Sequence, residues 1–386
     1  MTATGAPAAA VRHLYLHLPF CAHRCGYCDF VTVVGRAQEH GPYVDALLVE
    51  LERERHVLSS PLETVFLGGG TPTFTHLDAL RRVLEALPAA GEVTVEANPE
   101  TVTPELAALL REGGVTRVSL GAQTFAPRLL EVLERVSGPD DVRHAVHTLR
   151  DACFDNISLD LVYGIPGQEP ADLDRDLAEA LALAPEHLSC YELEAKPGTR
   201  FTHAFGDELA RQAEAMEGYF EHVVETLTGA GYRWYETANF CLDGGRAGGR
   251  DLRARHNLGI WRGRSYLGVG IGAVSTLAGV RRRNLPSLGR YVGALRAGES
   301  PPREVEELDA ATKARERLML GLRLDEPLLR AGLEEAIDER ALERLVAGGL
   351  VERVGVRSGT VLDEQALRLT RRGRFLGGGV TAELLA

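Results

Sequence analysis

Three cysteines lie within eight residues of one another, at Cys21, Cys25 and Cys28, directly after an apolar segment that predicts a β-strand at residues 14–18. A loop with this spacing can wrap three thiolates around one cubic [4Fe–4S] cluster and leave one iron without a protein ligand. A reactive metal centre needs such an open position, whereas a structural centre is closed by its protein ligands. The alternative is a structural zinc site in which His23 supplies the fourth ligand.

A second motif follows the next predicted strand and reads Gly68-Gly69-Gly70-Thr71-Pro72-Thr73. Glycines at a strand end permit a positive φ and allow the backbone to approach a ligand closely. A purely structural turn is the alternative, but the position of the motif one strand–helix unit after the cysteines favours a ligand site.

Three polar residues end or interrupt the next predicted strands: Glu96 on the third, Gln123 on the fourth and Asp160 on the fifth, with Arg135 on the helix after the fourth. A carboxylate in an apolar strand is costly unless it has a partner or a ligand. An ion pair between Asp160 and Arg135 would satisfy that need without any ligand. The carboxyl ends of the strands of a βα barrel form its active-site face, so these groups are expected around one mouth.

Alternating strand-like and helix-like patterns position these residues. The strands are predicted at residues 14–18, 64–67, 93–97, 117–120, 157–162 and 187–193, and the helices at 43–58, from Thr103 onward, at 140–152, 171–183 and 207–228. Such alternation predicts parallel βα units. The expected fold class is therefore α/β, a partial TIM-type (β/α)6 barrel.

The C-terminal part of the chain changes character. Short helices are predicted at residues 311–322, 326–331 and 339–346, a β-wing at 350–354 and 360–363, and closing segments at 371–376 and 380–385. The pattern indicates a small winged-helix-like α+β domain. The predicted organisation is a disordered leader at 1–11, the barrel at 12–230, a connecting region at 231–300 and the C-terminal domain at 301–386.

The composition of the chain indicates which classes of partner it is suited to bind. The net charge of −12 disfavours nucleic-acid binding, which depends on Lys and Arg neutralising phosphates, so DNA binding by the winged-helix-like domain is a minor alternative. No apolar run approaches the roughly 18–20 residues that span a bilayer, and residues 1–11 lack the features of a secretion signal. We therefore expect a cytoplasmic protein with no membrane span.

The cysteine spacing, with an aromatic residue before the last cysteine, resembles that of the radical SAM superfamily. The resemblance implies that the unique iron binds S-adenosylmethionine (SAM) and that the reduced cluster cleaves it. The segments around Cys21, Gly69, Glu96, Gln123 and Asp160 resemble the oxygen-independent coproporphyrinogen III oxidases and their relatives. By that resemblance, three residues match contacts to the cluster-bound SAM, and six match contacts to a second SAM. The first set is Tyr15, Gly69 and Glu96, and the second is Tyr27, Gly70, Thr71, Gln123, Arg135 and Asp160.

Two departures from the oxidases favour the related HemW-type heme chaperone family. Phe30 stands where the oxidase loop has a fourth cysteine, and only 20 residues precede Cys21. The Tyr-Glu-x-x-Asn-Phe segment of the chaperones is matched at residues 235–240, and their His-Asn-x-x-Tyr-Trp motif is nearly matched at 256–261. Ile260 replaces the tyrosine of that motif, and Val274 stands where a histidine usually follows the glycine-rich strand.

The chaperone resemblance implies heme as cargo, membrane-associated respiratory proteins as recipients, and His256 as the candidate heme ligand. A hydrogen-bonded histidine in a turn is the alternative for His256. Four arginines could pair with heme propionates or could be a solvated loop: Arg246, Arg250, Arg253 and Arg255. Oxidation of a porphyrinogen and another radical SAM reaction are the alternative functions, and whether SAM is cleaved productively stays open.

Overall fold

The structure is a computed structural model that describes residues 10–194, 200–212, 215–245, 247–358 and 361–386. The chain forms two compact units. The first comprises the chain up to Met216 and Ser265–Glu306, and the second comprises Glu217–Arg264 and Glu307–Ala386. Of the predicted leader, residues 1–9 lie outside the described residues. The predicted domain boundaries stay predictions.

The elements are as follows. The strands are β1 (His13–Leu18), β2 (Phe20–Cys21), β3 (Val33–Val34), β4 (Leu62–Gly69), β5 (Ala90–Ala97), β6 (Arg117–Gln123), β7 (Ile157–Tyr163), β8 (His187–Glu192), β9 (Tyr232–Glu236), β10 (Asn239–Leu242), β11 (Tyr266–Val269), β12 (Val274–Leu277), β13 (Val280–Asn284), β14 (Arg303–Glu307), β15 (Leu328–Leu329), β16 (Val351–Ser358) and β17 (Val361–Leu369). The helices are α1 (His40–Glu54), α2 (Leu77–Ala86), α3 (Pro104–Glu112), α4 (Pro127–Val132), α5 (Pro139–Asp151), α6 (Pro170–Ala182), α7 (Arg200–Gln212), α8 (Met216–Gly229), α9 (Arg255–Trp261), α10 (Leu288–Arg296), α11 (Ala310–Gly321), α12 (Glu339–Ala347), α13 (Arg371–Phe375) and α14 (Gly377–Leu384).

A parallel sheet is the frame of the first unit. Within the described residues, its parallel part has the order β11, β1, β4, β5, β6, β7 and β8. Beyond β11 the sheet continues with β12, β13 and β14, and the pairs β11–β12 and β12–β13 are antiparallel. The strands are rich in Leu, Val and Ile because helices on the connecting segments cover the sheet. Leu14, Leu16 and Leu18 of β1 are completely buried. The predicted α/β class and the six predicted strands are confirmed, but no closed barrel is formed among the described residues.

The helices that connect these strands begin with clear local signals. Pro104 occupies the first turn of α3, and the Thr103 side chain accepts a hydrogen bond from the Leu106 N–H at 3.2 Å. The helix predicted over residues 207–228 falls on α7 and α8, and residues 213–214 between them lie outside the described residues. The short helices α2 and α4 were not predicted.

Glu50 of α1 ties the strand β11 to the rest of the first unit. Its carboxylate accepts hydrogen bonds from Gly270 N–H at 2.9 Å, Tyr291 O–H at 2.6 Å and Asn284 Nδ2 at 2.8 Å. It also pairs with Arg303 at 2.7 Å. This buried carboxylate is fully hydrogen-bonded, as a stable buried charge requires. The network fixes the turn after β11 against α1.

The second unit contains the β9–β10 hairpin, α9 and the C-terminal elements. An antiparallel sheet in the order β15, β17, β16 packs with α11, α12 and α14 around an apolar cluster that includes Leu318, Leu342 and Leu367. The predicted helix at 326–331 is wrong, because this segment pairs with β17 as β15. In the predicted wing, residue 360 lies outside the described residues. The winged-helix-like assignment stays a prediction.

The helices of the described residues include none that is both long enough and apolar enough to cross a membrane.

Candidate cofactor site

The cysteine loop begins where Pro19 ends β1. Cys21 lies in β2, which pairs with β3, and its Sγ is 3.5 Å from the hydroxyl oxygen of Thr71. The loop turns back on itself between Cys25 and Cys28, where the Cys28 N–H donates to the Cys25 carbonyl at 3.2 Å. All three thiols are free and line one cavity of about 430 Å³.

Burial raises the pKa of the Cys21 and Cys28 thiols above the ordinary value. Iron binds the thiolate form, so cluster binding would release protons from this loop. His23 is half exposed, and its Nε2 lies 3.8 Å from Glu134 Oε2. His23 therefore lies beside the Glu134 carboxylate. This contact does not support the alternative in which His23 is the fourth ligand of a structural zinc.

The glycine motif at the end of β4 passes very close to the cysteine loop. Gly69 has a φ of +118°, and a Cβ built on it would lie 2.6 Å from the His17 ring. A Cβ on Gly70 would lie 2.4 Å from the Pro19 carbonyl oxygen. Only glycine fits at either position, so the strand end can lie against the loop.

Glu96 ends β5 beside this glycine motif. Its Oε2 accepts a hydrogen bond from the Gly69 N–H at 3.2 Å. Burial, together with the charge of Asp160, raises the pKa of Glu96 to about 7. Asn98 follows, and its Nδ2 donates to the Thr71 hydroxyl at 3.1 Å.

Gln123 ends β6 in the left-handed region, with a φ of +63°. The register between β6 and β7 shifts between Gly121 and Gln123, which indicates a bulge. Asp176 of α6 holds the next two residues, since it accepts from the Thr124 hydroxyl at 2.8 Å and from the Phe125 N–H at 2.6 Å. Sequence reasoning missed Asp176 because it lies on a helix outside every motif.

Arg135 reaches the cavity from the segment after α4. One Nη donates to the Gly121 carbonyl at 2.9 Å and to Asn98 Oδ1 at 3.1 Å, and the other lies 3.7 Å from Cys25 Sγ. Its Nε is buried and has no hydrogen-bond partner among the described residues. Buried polar atoms are normally paired, so this N–H indicates a place for a ligand acceptor.

Asp160 is the carboxylate on β7. It accepts hydrogen bonds from Ser119 at 3.1 Å and from Ser158 at 3.5 Å, and Ser189 is a further donor. Burial raises the pKa of Asp160 above its usual range. The predicted alternative, an ion pair with Arg135, is wrong because each of the two side chains has other partners.

The cavity brings together most of the predicted site. It is lined by the three cysteines and by Tyr27, Gly69, Gly70, Thr71, Glu96, Gln123, Arg135 and Asp160. Tyr15 is predicted to contact SAM but lies outside the lining. Its hydroxyl is 3.0 Å from His17 Nδ1, and its ring stacks on Phe66 with centroids 6.1 Å apart.

The donor set of the cavity fits a cluster with an organic ligand. Among the described residues, no three His, Cys, Asp or Glu side chains are arranged to hold a single metal ion. A cubic cluster binds each thiolate at a different iron, so its ligands surround it and do not converge on one point. Three free thiols beside the buried, unpartnered Arg135 Nε agree with this requirement.

His256 belongs to the second unit, on α9, and is only 2% exposed. In the same unit, the Ala254 N–H donates a hydrogen bond to the Tyr235 hydroxyl at 3.1 Å. Arg253 forms ion pairs with Asp251 at 2.7 Å and with Glu326 at 2.5 Å. Arg253 is therefore already neutralised by carboxylates. Arg246, another arginine proposed for propionates, lies outside the described residues.

The family model that describes the Radical SAM superfamily matches residues 15–180. That span contains the cysteine loop, the glycine motif and every cavity residue up to Asp160. The parallel sheet and this cavity define the class: a radical SAM protein.

Similar known proteins specify the family. The heme chaperone HemW of Mycobacterium tuberculosis (strain ATCC 25618 / H37Rv) is 36% identical over 386 residues, covering 96% of this chain and 94% of that protein. HemW of Bacillus subtilis (strain 168) is 33% identical over 389 residues, covering 97% and 99%. HemW of Escherichia coli (strain K12) is 33% identical over 268 residues, covering 67% and 68%. The chain belongs to the HemW family, as the sequence resemblance predicted.

The fold is also similar to that of coproporphyrinogen III oxidase (HemN) from Escherichia coli, a radical SAM enzyme. The TM-score is 0.78, and the match covers 98% of this chain and 90% of the oxidase. The identity is 21%, so this likeness establishes the fold alone.

Proposed function

We propose that this protein is a heme chaperone that holds a [4Fe–4S] cluster on Cys21, Cys25 and Cys28, binds SAM beside it, and passes heme to other proteins. The proposal rests on one observation: the same cavity is lined by the three free thiols and by the polar residues of the predicted SAM site. Membership of the HemW family supplies heme as the cargo.

A [4Fe–4S] cluster held by the three cysteines would supply a site that binds SAM and an electron that cleaves it. The protein supplies the geometry. Gly69 and Gly70 let the end of β4 lie against the cysteine loop, where a side chain would collide with His17 or Pro19. The Glu96 carboxylate suits the ammonium group of SAM, and the spare N–H of Arg135 suits an anionic or carbonyl acceptor.

Tyr27, Thr71, Gln123 and Asp160 complete the proposed SAM site. Asp160 is held by three serine hydroxyls, which fix its orientation without neutralising it. Gln123 is held in a rarely occupied backbone conformation by the bonds of Asp176 to the two residues that follow it. Such strained conformations persist where several contacts from the surrounding structure hold the residue in place, and they are concentrated at functional sites.

His256 remains the proposed heme ligand, with the condition that α9 must open before its imidazole can reach iron, because the side chain is buried in this structure. The proposed recipients are membrane-associated heme proteins, and the proposed location is the cytoplasm.

The test is an anaerobic titration of the full chain, with its cluster reconstituted, with heme, followed by mixing with an apo heme protein. We expect a saturable heme spectrum and transfer of heme to the recipient. A protein with an intact cluster that binds no heme would contradict the proposal. Conversion of coproporphyrinogen III by the same preparation would instead indicate an oxidase.

A further inference from the structure

The cavity has two chemically different sides. The ends of β4, β5 and β6 contribute the polar groups that the proposed SAM site uses. The apolar side is formed by Val162 and Leu193 together with the ring of Tyr27, whose hydroxyl remains available to the proposed SAM site. Val162 and Leu193 are buried, and they belong to an apolar cluster against which Tyr27 packs.

Two large apolar side chains extend this apolar side into solvent. Phe30 is 65% exposed and Tyr191 is 41% exposed, and both line the cavity. Phe30 follows the cysteine loop, and its backbone N–H donates a hydrogen bond to the Cys28 sulfur. Tyr191 lies on β8, five strands away from β1 in the order of the sheet.

The sheet therefore curves enough for the loop after β1 and the end of β8 to border the same opening. Single exposed apolar residues are ordinary on a protein surface, but two aromatic residues at the mouth of one polar cavity mark a place for an apolar ligand. The proposed SAM site uses neither of these rings.

We propose that a tetrapyrrole docks at this mouth, with one face of its macrocycle on the rings of Phe30 and Tyr191. The proposal rests on the heme-chaperone function proposed above, which supplies a flat apolar ligand with carboxylate edges. Aromatic rings favour stacking on such a face. The cavity of about 430 Å³ has the size of a site for one small ligand, and its polar side suits SAM, so the macrocycle covers the mouth and does not enter.

The charges at the mouth set the orientation of the ligand. Arg24 is exposed, lines the cavity, and donates through Nη2 to the Cys28 carbonyl at 3.1 Å, so it is placed to bind one propionate. Asp29, Glu192 and Glu194 also line this region and would repel a carboxylate. The second propionate is therefore directed into solvent.

The experiment compares heme affinity, by anaerobic absorbance titration, in full-length wild type and in Phe30→Ser and Tyr191→Ser, each with its cluster reconstituted. Phe30→Tyr and Tyr191→Phe keep a ring at each position. Val305→Ser removes an equally exposed apolar side chain that lies outside the cavity lining. We expect about tenfold weaker binding in each serine variant, and wild-type affinity in the ring-retaining variants and in Val305→Ser. Iron content checks that the cluster is intact.

Three results separate the hypotheses. Weaker binding confined to the serine variants supports the mouth site. Unchanged binding in both serine variants, with loss in His256→Ala, overturns the mouth site and leaves the heme-chaperone function standing. A wild-type protein that binds no heme overturns both.

Discussion

The Glu96 carboxylate accepts a hydrogen bond from the backbone N–H of Gly69, across 3.2 Å. This bond joins the carboxyl ends of β4 and β5 at the edge of the cavity. The amide that Glu96 holds belongs to a residue with a positive φ, so the carboxylate supports the backbone conformation that brings the glycine motif against the cysteine loop.

Glu96 should make the stability of the protein depend on pH. Its pKa is raised to about 7, so the folded chain keeps a proton between pH 4.5 and about 7 that the unfolded chain has lost. The free energy of unfolding therefore falls as the pH rises through this window. Glu96→Gln removes the proton, so the thermal midpoint of the cluster-free chain should fall less between pH 5 and pH 8 than in wild type. Glu100→Gln, an exposed neighbour, serves as the control, and a Glu96→Gln profile equal to wild type would refute the assignment.

Cys25→Ser should abolish cluster assembly, because the loop would lose one of its three thiolates. The measurements are iron and sulfide content and the absorbance of the reconstituted protein. Cys153→Ser is the matched control, since Cys153 is a free, exposed cysteine outside the cavity lining. Equal iron content in the two variants would show that Cys25 is not a ligand.

Gly69→Ala should destabilise the protein by at least about 2 kcal/mol, because its φ is unfavourable for alanine and its Cβ would overlap His17. The thermal midpoint should fall by several degrees, and SAM binding should weaken. Gly206→Ala, in α7, meets no atom within 4 Å and should stabilise the protein by about 0.5–1 kcal/mol. A Gly69→Ala variant as stable as wild type would mean that the strand end is not packed in this way.

Arg135→Ala should leave the cluster assembled but lower its reduction potential. The guanidinium lies 3.7 Å from Cys25 Sγ, and a nearby positive charge or hydrogen bond to a cluster sulfur raises the potential. Redox titration monitored by electron paramagnetic resonance gives the midpoint. Arg143→Ala, which removes an arginine paired with Asp140 and Glu179 on α5 and α6, should leave the potential unchanged. An unaltered potential in Arg135→Ala would exclude this role.

Asp176→Ala should weaken SAM binding although Asp176 lies outside the cavity lining. It leaves the Thr124 hydroxyl and the Phe125 N–H without their acceptor, at a cost of about 1–3 kcal/mol, and frees the backbone next to Gln123. Isothermal titration with SAM measures the effect. Asp174→Ala, two residues away on the exposed side of the same helix, should bind SAM normally. Matching affinities in the two variants would argue against positioning through Asp176.

The sequence predicted what depends on local pattern. The alternation of apolar strands and helical patterns identified the parallel sheet, and the order of the motifs predicted that Cys21, Gly69, Glu96 and Asp160 surround one mouth. It could not predict contacts made between distant segments. Asp176 supports Gln123 from another helix, and the partners of Arg135 are a strand-end carbonyl, an amide and a thiol. Nor could the helical pattern at residues 326–331 show that pairing with β17 would override it.

The pairing of β1 with β11 has a consequence for biosynthesis. His13 pairs with Tyr266, so the partner of the strand that leads into the cysteine loop is made about 250 residues later, roughly 10–50 s at ordinary rates of translation. During that time the cysteines have already been made, while one edge of β1 is open to pairing with any other strand. The nascent chain is thus exposed to mispairing at the strand that leads into its cysteines, and this exposure ends only when residues 266–269 leave the ribosome.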